Sequence, residues 1–80
     1  MQEKAKKIVL DYINAHLVEE PTVTINELFI VWFCKTLQNW KCLVGTTFPL
    51  GMYFEVTHNG DKGETYLDVY TKWDNLCVKD

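Results

Sequence analysis

The sequence predicts an α+β domain, an N-terminal helix packed on a four-stranded antiparallel β-meander. Three observations lead there. Apolar residues recur at helical spacing over residues 3–18. Beyond Glu27 the chain becomes β-branched and aromatic, with ten of its eleven aromatic residues after position 28. Short turn signals separate the apolar runs that follow, and short connections make neighbouring strands antiparallel. Eighty residues make one domain, spanning 1–80.

The helix is expected at about 3–19. Ala5, Ile8, Val9, Tyr12, Ile13, His16 and Leu17 fall on one face, and Glu19-Glu20-Pro21 ends the segment. Lys4, Lys6 and Lys7 oppose the helix dipole and read as a solvated basic face. Thr22 to Asn26 is a crossing segment or a short strand. Strands are then expected at about 27–37, 40–48, 52–58 and 64–73. Gln38-Asn39, Pro49-Leu50-Gly51 and the Asn59-Gly60-Asp61-Lys62-Gly63 turn divide them.

Alternation assigns faces in the last hairpin. Met52, Phe54, Val56 and His58, with Thr65, Leu67, Val69, Thr71 and Trp73, should face the helix. Tyr53, Glu55, Tyr66, Asp68 and Tyr70 then form an outer face of tyrosines and acids. The first hairpin stays open. A three-residue turn sets Cys34 opposite Cys42 and groups Ile30, Trp32, Cys34, Trp40, Cys42 and Val44. A two-residue turn selects Phe29, Val31, Phe33 and Leu37 instead. The first strand is apolar on both faces, which suits a central strand, yet a meander leaves it at an edge. Cover by 22–26, return of the fourth strand, or a second subunit would resolve this. A homodimer or another protein contact through 28–34, using Phe29, Val31 and Phe33, is therefore expected.

Composition narrows function. All eight basic residues are lysines and the net charge is −3, which argues against direct duplex nucleic-acid binding. No apolar run is long enough to span a membrane, and no signal peptide is visible. Cys34, Cys42 and Cys77 are odd in number and lack ligand spacing, even counted with His16 or His58, so neither a metal nor a cofactor is expected. Free thiols suit a reducing compartment. No catalytic motif is present, and no catalytic residue is assigned. A Cys–His pair or a Glu55/Asp68 pair would be the only basis for a hydrolase, the last-ranked reading.

The block Trp32-Phe33-Cys34-Lys35-Thr36-Leu37-Gln38-Asn39-Trp40-Lys41, together with Gly51 to Thr57 and Asn59 to Tyr70, resembles a family of small uncharacterised proteins of tailed phages and prophages of Gram-positive bacteria. The resemblance covers nearly the whole chain. It implies a setting, the cytoplasm of an infected or lysogenic bacterial host, and transfers no site. In that setting, the expected function is non-enzymatic binding that modulates a host or phage protein. The candidate contact residues are Tyr53, Glu55, Tyr66, Asp68 and Tyr70, with Lys35, Gln38, Asn39 and Lys41 at the hairpin tip. The alternative is an oligomer that sequesters a nucleotide signal, stacking a base on aromatics and pairing phosphate with Lys35 or Lys41.

Overall fold

The computed structural model describes residues 1–18, 22–48, 51–71 and 76–79. Helix α1 runs Gln2–Tyr12 and continues as a wider π-helical turn, Ile13–Leu17. A single 3₁₀ turn, Ile25–Glu27, leads into the sheet. Strands β1 (Leu28–Thr36), β2 (Asn39–Thr46), β3 (Met52–Asn59) and β4 (Glu64–Thr71) form one antiparallel sheet in the order β1-β2-β3-β4. The chain is thus the expected helix on a four-stranded meander.

Ala5, Val9 and Ile13 recur every four residues, forming one stripe of α1 that is wholly buried. That stripe packs on Leu28, Trp40, Cys42, Val44, Phe54 and Val56 of the sheet. The helix lies chiefly over β1, β2 and β3, and β4 projects beyond it. His16, expected on the apolar face, is exposed and lies 4.8 Å from the Tyr12 ring. Lys7 pairs with Asp11 one turn on at 2.7 Å; both are exposed, so the pair adds at most about 0.5 kcal/mol.

Asn14 ties the segment after the helix back to it. Its side-chain amide donates to the Val23 carbonyl at 3.0 Å, and its carbonyl accepts from the Val23 N–H at 3.2 Å. Glu27 accepts from both the backbone N–H and the hydroxyl of Thr24, fixing the 3₁₀ turn. The Glu27 carbonyl then accepts the Thr47 N–H at 2.8 Å, docking the turn beside the end of β2.

The first hairpin takes the two-residue turn, one of the two expected, but the set of residues it turns toward the helix differs from the expected one. Its turn has two residues, Leu37-Gln38, because Thr36 pairs with Asn39. Phe33 therefore opposes Cys42 on the helix side, and Cys34 opposes Lys41 on the other. Cys34 and Cys42 are not neighbours across the hairpin. A bulge between Ile30 and Trp32 then shifts the register by one residue, so Ile30 pairs with Val44 and also faces the helix. The helix-side set is Leu28, Ile30 and Phe33, while Phe29 and Trp32 point away. Phe33 was expected to share a face with Phe29; it is half-buried instead, its ring 6.2 Å from Trp40.

Strand β1 remains at the edge of the sheet. Residues 22–26 add no strand beside it, and β4 closes the opposite edge. The second strand ends at Thr46 rather than at 48, and the helical turns end at Leu17, with Val18 already extended. Residue 19 and positions 72 and 73, including Trp73, lie outside the described residues.

Candidate functional site

The face of the sheet away from α1 has no covering layer among the described residues. The pairing registers arrange it in rows across the strands. Phe29, Gly45, Tyr53 and Tyr70 form one row. Trp32, Leu43, Glu55 and Asp68 form the next, followed by Cys34, Lys41, Thr57 and Tyr66. Thr36, Asn39, Asn59 and Glu64 complete it at the hairpin tips.

All five residues of the expected tyrosine/acid face, Tyr53, Glu55, Tyr66, Asp68 and Tyr70, share this surface. The three tyrosines are 47–50% exposed. Sequence alternation missed Phe29, Trp32 and Leu43 as their neighbours. Phe29 and Trp32 are 44% and 49% exposed, and with Leu43 of β2 they extend an apolar surface across all four strands. Gly45 makes this possible: a Cβ there would lie 2.7 Å from the Phe29 ring, which covers the bare backbone.

The electrostatics of the face are acidic. Glu55 and Asp68 sit directly opposite each other on β3 and β4. Lys41 approaches Glu55 at 3.7 Å and partly neutralises it. The Glu55 charge, with burial and Asp68, pushes the Tyr70 hydroxyl above the ordinary phenol range. The Tyr66 hydroxyl donates to Glu64, and that bond raises its pKa also. Each of these hydroxyls donates to a carboxylate of its own chain, Tyr66 to Glu64 and Tyr70 to Glu55.

The tip residues divide. Lys41 is on the outer face, whereas Lys35 pairs with Trp40 on the helix side. Asn39 accepts the Gly60 N–H at 2.8 Å, and Gln38 donates to Asp61, so both side chains join the two hairpin tips. Trp32, Cys34, Thr36, Asn39, Lys41 and Thr57 border an open hollow of about 300 Å³ near these tips.

Glu55 and Asp68 face each other across β3 and β4, whereas no cysteine is brought to a histidine among the described residues. Cys42 is buried, and burial raises its thiol pKa against the lowering influence of Lys6 and the N-terminus. His58 stacks on Trp40 at 5.3 Å and bonds the Thr65 hydroxyl at 2.8 Å. Cys34 is exposed on the opposite face from His58, and no hydrogen bond joins a cysteine to a histidine. No helix among the described residues is long and apolar enough to cross a membrane.

Residues 2–80 match the model of a family of unknown function, DUF6275. The chain belongs to this family. No curated protein and no solved structure matches it. Family membership thus assigns no chemistry to the outer face of this DUF6275 chain.

Proposed function

We propose that this DUF6275 chain is a non-enzymatic binding protein, and that the outer face of its sheet is the contact surface. The reading is carried by an aromatic layer, Phe29, Trp32, Tyr53, Tyr66 and Tyr70, left half-exposed on one side of the sheet. Aromatic side chains around a few polar groups are the usual composition of a protein-recognition patch. The partner is a host or phage protein, such as a defence or nucleic-acid-processing factor, in the cytoplasm of a bacterium carrying the phage. The resemblance to phage-encoded proteins supports that setting. Tagged wild-type chain should capture a defined protein from infected-cell lysate. The double substitution Trp32→Ala and Tyr70→Ala should lose it while the melting temperature holds. Capture unchanged by the substitutions would remove this face as the site.

The hollow beside Trp32 and Lys41 favours a second reading, a small anionic aromatic ligand such as a nucleotide. Its volume stands at the lower limit for such sites, and Glu55 already engages Lys41. A thermal-shift screen with nucleotides tests it, and no shift at millimolar ligand would set it aside.

A further inference from the structure

We infer that two copies of this chain associate through their β4 edges, antiparallel about a two-fold axis at Leu67, to make one continuous eight-stranded sheet. Among the described residues, the two outer edges of the sheet differ. Strand β1 carries the bulge at Val31 and a lysine, Lys35, near its end, two features that blunt an edge against pairing. Strand β4 has neither. Its ladder with β3 runs without a register shift from Met52↔Thr71 to Asn59↔Glu64, and it contains no proline or lysine. It also projects beyond α1, leaving Leu67 and Val69 only half-buried on the helix side.

Among the registers that pair most of β4 with itself, one is free of like charges. For the helices to remain on one side, outer residues must meet outer residues, so the axis passes at a residue position. An axis at Leu67 pairs residues 64–70 with themselves. Tyr66 then faces Asp68 of the second copy, and Glu64 faces Tyr70. Thr65 faces Val69, and Leu67 faces Leu67. Every acid then opposes a phenol of the second copy and no acid opposes an acid. Moving the axis to Asp68 sets that carboxylate against itself. Moving it to Tyr66 sets Glu64 against Asp68. Like charges directly opposite penalise both alternatives, and an axis at Val69, which avoids them, pairs only residues 67–71, so Leu67 gives the longest compatible overlap.

The inference is independent of the partner-binding reading, since it concerns the edge and a second copy. The interface is small, so a micromolar dimer is expected. Sedimentation velocity across micromolar to millimolar protein should show a reversible monomer–dimer equilibrium. Tyr66→Asp places a carboxylate opposite Asp68 at two symmetric positions and should raise the dimer Kd about tenfold. Tyr66→Lys offers an ion pair at the same positions and should hold or tighten the dimer. Val31→Lys, on β1, should leave it unchanged. Circular dichroism of each variant checks that the fold is retained; Tyr66 is half-exposed, so both substitutions are accommodated. A strict monomer at millimolar concentration overturns the inference. So does a dimer indifferent to Tyr66→Asp, one weakened equally by both Tyr66 variants, or one lost on Val31→Lys.

Discussion

Leu37 occupies a backbone conformation that a leucine rarely takes. Its φ is +56° at the first position of a two-residue hairpin turn, and its side chain is 82% exposed. Turns of that kind favour glycine there, and a left-handed residue with a Cβ costs roughly 1–2 kcal/mol. Leu37→Gly should therefore raise stability by about 1 kcal/mol, read as a higher melting temperature. Gly60 poses the opposite problem. A Cβ on it would lie 2.3 Å from the Gln38 carbonyl oxygen, a backbone atom with little freedom to move. Gly60→Ala should part the two hairpin tips and cost about 1–3 kcal/mol, and amide exchange at residues 59–61 should quicken. Cys42 gives a pH prediction. Its folded pKa is raised, chiefly by burial, so the neutral thiol is favoured in the fold. Its contribution is complete below the unfolded thiol pKa and is lost as pH rises through the folded value. Urea midpoints should fall above about pH 8.5, and Cys42→Ala should remove that contribution to the slope while lowering stability at neutral pH.

At the scale of elements, the helix, the meander and the faces of the last hairpin were legible. Period and turn residues are local signals, and β3 and β4 alternate cleanly between Phe54, Val56, Leu67 and Val69 inside and tyrosines and acids outside. The first hairpin was not legible, for two physical reasons. Leu37-Gln38 carries no glycine or asparagine at the position that turns with positive φ, so the chain does not announce a two-residue loop. The bulge is hidden because Phe29, Ile30, Val31, Trp32 and Phe33 are all apolar, and a slip within a uniformly apolar run leaves no polar residue misplaced. Tertiary packing decides it: the bulge is what lets Leu28, Ile30 and Phe33 all reach the helix side. The bulge also bears on the edge. Deleting Val31 would join Ile30↔Val44 directly to Trp32↔Leu43 in an unbroken ladder. The straightened β1 should self-associate more than the wild type, seen as faster sedimentation at equal concentration.

The whole molecule is flat. It measures 42 × 40 × 19 Å, and its thickness is that of one helix layer on one sheet, each about 10 Å deep. Its radius of gyration is 14.0 Å, against about 12 Å for a compact chain of this length. The fold therefore stands on one thin core, and the outer aromatic layer lies outside it. Two tryptophans of the same hairpin make this testable. Trp40 is 5% exposed and packs beneath the helix, whereas Trp32 is 49% exposed on the outer face. Trp40→Ala should cost about 3–5 kcal/mol, the penalty for emptying a core site. Trp32→Ala should stay within about 1 kcal/mol, as for a surface site. Chemical denaturation of the two variants measures the difference. A Trp32 as costly to remove as Trp40 would mean that the outer aromatics hold the sheet together, and the basis for treating that face as a binding surface would be gone. A cheap Trp32→Ala leaves its indole free for a partner, since the fold itself does not need it.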